Sequence, residues 1–187
     1  MDEVLYRACL VFALPFMSIL ALYCLIRWRG IRRKQLAVIA AFFFGALVLL
    51  VGGYYVLGSF GLAWRTAPRG ILLATALISG IIGDVFLLVV ILTKEMPDLA
   101  PVLRVAFKLV TLACASLILY FGLTFGFIML VFSTGNSERV IEYQGETLLE
   151  VDESFLDPWY SYYSYHGPLV RGNKIIHSGM EPLNRSE

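Results

Sequence analysis

Four long apolar stretches dominate the chain, at residues 4–26, 36–60, 71–93 and 109–132. Each has the length of one membrane-spanning helix, which takes about 20 predominantly apolar residues. Arg7 interrupts the first stretch near its start, Asp84 is the charge inside the third, and the second and fourth carry none. The connections 27–35, 61–70 and 94–108 are too short for a domain. Residues 1–133 therefore read as one four-helix transmembrane unit. The pattern then changes. Residues 134–138 read as a linker, 139–178 as a small β module and 179–187 as a flexible end. Within the module, 139–143, 146–151 and 159–165 are β-prone runs. Gln144-Gly145 is expected to turn, Asp157-Pro158 to break the chain and Gly167-Pro168 to turn again. A last hairpin is expected to join 169–170 to 174–177 across Arg171-Gly172-Asn173. The expected fold class is an all-α transmembrane four-helix unit with a small C-terminal antiparallel β module.

Composition agrees with this pattern. Of 187 residues 59% are hydrophobic and 16% charged, and the mean hydropathy is +0.77. A soluble domain has about 45–50% apolar and about 25% charged residues. The charge is divided along the chain. Residues 1–133 carry eleven Lys/Arg and five Asp/Glu, and residues 134–187 carry four and nine. A soluble globular enzyme, a disulfide-rich secreted domain and a basic nucleic-acid binder are excluded on these grounds. The expected partners are the lipid bilayer and either another protein or a second copy of this chain.

The first stretch does not read as a cleavable signal. It follows acidic Asp2 and Glu3, its apolar run is full length, and Arg27-Trp28-Arg29 comes next. Arg27, Arg29, Arg32, Arg33 and Lys34 fill the first connection as a cytoplasmic anchor. Lys94, Arg104 and Lys108 lie in the third, against Arg7, Arg65 and Arg69 at the other end. The positive-inside rule then places both termini outside the cytoplasm. Cys9, Cys24 and Cys114 fall inside the stretches and read as small packing residues.

Helices in lipid associate through close packing and polar contacts. Ala76, Gly80 and Asp84 recur at intervals of four, with Ser79 and Gly83 beside them. Thr111, Ala115, Gly122 and Gly126 share a face of the fourth helix, and Gly45 and Gly52 lie seven apart in the second. These are the expected packing positions. Asp84 is the exceptional residue, roughly 13 Å along the helix from its Thr93 end. An ionised carboxylate there is costly, so the side chain is expected to be protonated, paired or facing water. The readings open to it, with Ser79, Gly80 and Gly83, are helix glue, an ion site and a proton relay.

In the aromatic run, alternation puts Trp159, Ser161, Tyr163 and Tyr165 on one face and Tyr160, Tyr162, Ser164 and His166 on the other. Trp159, Tyr160, Tyr162, Tyr163, Tyr165 and His166 form a candidate contact surface, since Tyr and Trp suit interfaces. Asp152, Glu153, Asp157, His166 and His177 match no zinc spacing, and no nucleophile or nucleotide motif is present. No metal, cofactor or catalytic set is assigned.

The segments 140–143, 154–157, 162–165 and 167–172 resemble a tail module of uncharacterised small bacterial membrane proteins. The resemblance covers about forty residues of the tail and not the helices. It implies a bacterial plasma-membrane protein with an extracytoplasmic β module, and it carries no activity. The expected function is that of a non-enzymatic integral membrane protein presenting this module for protein interaction, as an accessory, scaffold or sensor. The alternatives are a small transporter or channel subunit using Asp84, and a membrane-embedded enzyme without a recognisable motif.

Overall fold

The computed structural model describes residues 3–27, 29–94, 100–154 and 157–183, with side chains from residue 13 onward. Phe155, Leu156 and residues 184–187, which belong to the tail segments read above, lie outside the described residues, as does the side chain of Cys9. The helices are α1 (Glu3–Arg27), α2 (Ile31–Ser59), α3 (Thr66–Thr93), α4 (Pro101–Phe121) and α5 (Phe127–Thr134). A π-helical turn, Gly122–Gly126, joins α4 to α5, so residues 101–134 run on as one helix. Among the described residues, three helices are long and apolar enough to cross a membrane: Ile31–Ser59, Thr66–Thr93 and Pro101–Thr134. At about 1.5 Å per residue each exceeds the roughly 30 Å hydrocarbon core. Their outward faces carry large apolar side chains such as Phe42, Val48, Ile78 and Phe127. A helix in water would place polar residues there.

The chain divides into two compact units. Residues 1–44 and 76–127 form the first, and residues 45–75 and 128–187 the second. The first is built from helices alone. Ala13, Met17, Leu20 and Cys24 make one stripe along α1 and are buried with Leu36, Leu87, Val90, Ile91, Cys114 and Ala115. Phe16 and Phe107 pack with ring centroids 6.2 Å apart, which fastens α1 to α4. Lys108 reaches back to the end of α3, where Nζ donates to the Leu92 carbonyl at 2.6 Å. That carbonyl lies in the last turn of α3 and has no intrahelical partner to accept from.

The second unit contains an antiparallel sheet of five strands: β1 (Leu62–Trp64), β2 (Ser137–Tyr143), β3 (Glu146–Asp152), β4 (Tyr160–Tyr165) and β5 (Val170–Gly179). Their order is β1-β5-β4-β3-β2. Gln144 and Gly145 close the β2–β3 hairpin, both at positive φ (51° and 83°), as a two-residue turn of right-handed twist requires. The sheet is packed on both faces. Ile141, Leu148 and Tyr162 gather on one, and Leu149, Val151 and Tyr163 on the other.

Beyond the start of β2 at Ser137, inside the 134–138 segment read as a linker, two features differ from the sequence expectation. The first is β1, which comes from the connection between α2 and α3 and pairs Leu62 with Gly172 and Trp64 with Val170. The second is β5. Arg171-Gly172-Asn173 does not turn, and 170–179 is one continuous strand with a bulge opposite Tyr163. Gly172 serves a close approach instead. A Cβ there would run into the Ser164 hydroxyl on the neighbouring strand. The strand also continues past Ser178, which pairs with Ser161.

Candidate functional site

In the first unit, α3 carries its small residues and Asp84 on a face that meets α2. Gly80 lets Phe43 approach to 3.2 Å of where a Cβ would stand, and Gly83 does the same for Ile39. Ala76, Ser79 and Asp84 are buried between these contacts, Asp84 to 7% exposure. Ser79 Oγ donates to the Ala76 carbonyl at 3.2 Å. Among the described residues, Asp84 Oδ2 is buried without a hydrogen-bond partner. Thr111 and Ala115 on α4 are fully buried, and in the π-helical turn Gly122 lies within van der Waals reach of Leu77 and Ile81 and Gly126 is pressed by the Leu77 side chain.

The expectation for α2 needs correction. Among the described residues, nothing lies within 4 Å of where a Cβ would stand at Gly45 or Gly52. The close positions are one residue later. Ala46 is buried, and Gly53 receives the Trp64 indole so closely that a Cβ would collide with it. The Gly53 neighbour is Trp64 of β1 and not another helix. Spacing alone does not fix the direction in which a fully apolar helix faces.

In the second unit, the chemistry concentrates where β1, α3 and β2 meet. Glu138 opens this joint. Its Oε1 accepts from the Thr66 N–H at 2.8 Å and the Thr66 hydroxyl at 2.7 Å, and its Oε2 accepts from Arg65 Nε at 2.8 Å. The carboxylate thus caps the first turn of α3 from 72 residues away, where the helix dipole favours negative charge. Arg65 Nη1 also donates to the Gly167 carbonyl at 3.3 Å, which draws in the β4–β5 turn. Burial alone would raise the Glu138 pKa. The Thr66 bonds and the Arg65 charge outweigh it and hold the carboxyl below its ordinary value. A cavity of about 600 Å³ adjoins this joint, lined by Arg65, Thr66, Gly70, Thr134, Asn136 and Glu138 among others.

The aromatic residues of the tail are split by the fold. Tyr162 is fully buried. Its hydroxyl donates to Glu150 Oε2 at 3.0 Å and accepts from the Leu183 N–H at 2.8 Å. Tyr163 is 6% exposed, and the Arg171 guanidinium stacks 3.6 Å above its ring. Both belong to the sheet's own packing, so neither offers its ring to a partner. Tyr160 and Tyr165 are half-buried, while Trp159 and His166 are exposed. Arg65 sits 5.7 Å from the Tyr165 ring. The acids of the tail have local roles: Asp152 accepts from the Ser154 N–H, and Glu153 from the Ser161 and Tyr163 hydroxyls. Among the described residues, no three His, Cys, Asp or Glu side chains gather as a metal site. The basic residues Arg29, Arg32, Arg33 and Lys34, with Arg27, are all exposed around the start of α2.

The two outer edges of the sheet differ in character. The β2 edge carries Glu138, Arg139 and Glu142. The β5 edge is covered by β1 only as far as Gly172, and Asn173 N–H donates to the Gly61 carbonyl. From residue 174 to 179, among the described residues, that edge has no strand beside it. It carries Ile175 and Ile176, each more than half exposed, and one charge, Lys174. No family model, no curated protein and no solved structure matches the chain.

Proposed function

We propose that this is an integral membrane protein, of the bacterial plasma-membrane type that the tail suggests, which presents its sheet outside the cytoplasm to a partner protein. The partner contributes an extended segment that pairs with residues 174–179 of β5. The observation that carries this reading is the contrast between the two sheet edges. Proteins guard exposed strand edges with charge, as β2 does. An open edge with two exposed isoleucines is what strand addition uses, with main-chain pairing for affinity and side-chain contacts for selectivity. The Glu138 joint supports the same reading, because it ties the sheet to the start of α3 and so holds the edge in a fixed attitude. Tyr54, Tyr55 and Phe60, all exposed near the end of α2, suit the aromatic belt at a membrane–water boundary just beneath the sheet. No step of this reading requires a catalytic group.

A photocrosslinking residue at Ile176, in intact cells, is expected to give a defined protein adduct. The same residue at Arg139 on the β2 edge is expected to give none. Replacing Ile175 with Lys, which leaves the buried faces untouched, should remove the adduct. Equal adducts from both edges, or an adduct that survives the Lys, would overturn the assignment.

A further inference from the structure

The first unit holds a laterally open cavity of about 500 Å³ between its helices. Small-molecule pockets commonly have about 300–1,000 Å³, mostly apolar walls and a few placed polar groups. This one fits that description. Leucines, isoleucines and phenylalanines from α1, α2, α3 and α4 make the walls, and the polar side chains are Ser18, Ser79 and Asp84. Asp84 is 7% exposed, and its Oδ2 has no hydrogen-bond partner among the described residues. Among the described residues, no Lys, Arg or His lines the space. A buried carboxyl oxygen without a donor is an unfavourable arrangement that a ligand can relieve. The Gly80 and Gly83 contacts with Phe43 and Ile39 hold this part of α3 against α2 and account for Asp84 being fixed there.

We propose that this cavity binds an apolar molecule bearing one protonated amine, with the ammonium donating to Asp84. A bare metal cation is disfavoured, because three oxygen-bearing side chains are too few for the hard cations, which take six or more oxygens. An anion has no cationic partner in the walls. An ammonium supplies the charge that the carboxylate lacks, and its hydrocarbon body replaces empty space with contacts along the apolar walls. Entry is from the side. Leu14, Leu22 and Phe44 stand at the rim and are each more than half exposed, on helix faces as apolar as the acyl chains they would meet.

The test uses the full chain in phosphatidylcholine nanodiscs and a long-chain primary amine bearing a diazirine. The alcohol and the carboxylate of the same chain serve as comparison probes. After irradiation, amine adducts are expected on peptides carrying Ser18, Phe43 or Leu119, with the alcohol and the carboxylate labelling far less. Asp84→Asn keeps the volume and removes the charge, and should lower amine labelling roughly tenfold or more, as loss of a charge-assisted hydrogen bond implies. Equal labelling by the three probes, or undiminished labelling of Asp84→Asn, would overturn the proposal. Ser18→Phe guards against a folding artefact, since it fills the space and leaves the carboxyl in place. It should abolish labelling while the melting temperature without amine holds or rises, and labelling that persists counts against the cavity.

Discussion

Tyr162 and Tyr163 are adjacent in sequence and end in different cores, one with Ile141 and Leu148, the other with Leu149 and Val151. Period-two alternation made that division legible, because successive strand residues point to opposite faces. Which tyrosines stay accessible was not legible, since it depends on which strands flank β4. Gly172 shows the limit more sharply. Between Arg171 and Asn173 a glycine reads as a turn. Its actual role is to admit the Ser164 hydroxyl across the β4–β5 pair, and that neighbour is invisible from local sequence. Gly172→Ala should therefore destabilise the sheet by about 1–3 kcal/mol, the usual range for forced overpacking. Ser164→Ala in the same chain should recover most of the loss, because the hydroxyl is the atom in the way. Thermal unfolding of the two single variants and the double variant measures this coupling. Strict additivity would show that the two residues do not meet.

At the scale of elements, the helices were legible and their fastenings were not. An apolar run of helical length declares itself. β1 is three residues long and lies between two such runs, so no periodicity could reveal it. The cap of α3 was equally hidden, since its acceptor is Glu138 and not a neighbour of Thr66 in the chain. This joint is sensitive to acid. The folded Glu138 carboxyl titrates below its ordinary value of about 4.5. It therefore contributes stability fully above that value, and the contribution is lost as the pH falls through the lower, folded-state value. The melting temperature of the sheet should fall on acidification below about 4.5, and Glu138→Gln should flatten that part of the profile. Glu138→Ala should cost more, about 3–5 kcal/mol, because it leaves the half-buried Arg65 guanidinium without its partner. An acid profile identical in the wild type and the Gln variant would remove Glu138 from the role described.

For the whole molecule, β1 makes the topology testable in two independent steps. The α2–α3 connection and the tail share one sheet, so in a membrane-inserted chain both are expected at one surface. Single cysteines at Ser59 and Ser137 should be labelled from the same side by a membrane-impermeant reagent, and one at Gln35 from the other. That result depends on the sheet alone. Labelling of Ser59 and Ser137 from outside the cell is the further expectation from the Arg27–Lys34 cluster. Labelling of Gln35 from outside would reverse the orientation and leave the sheet intact. Labelling of Ser59 and Ser137 from opposite sides would break the β1–β5 pairing itself. The long apolar helices were thus readable from composition, whereas the joining of loop and tail rests on a pairing between Leu62 and Gly172, distant in the chain.

That distance also orders events during synthesis. The ribosome completes β1 more than a hundred residues before the β5 positions that pair with it. At about 5–20 residues per second the wait is roughly 5–20 s. Throughout it, α2 and α3 have been made while the strand between them has nothing to pair with, and the acceptor for the first turn of α3 has yet to be translated. Closing of the sheet is consequently a late step of biogenesis. A nascent chain halted before Val170 would hold its helices and present β1 as an unmatched strand to the quality-control machinery.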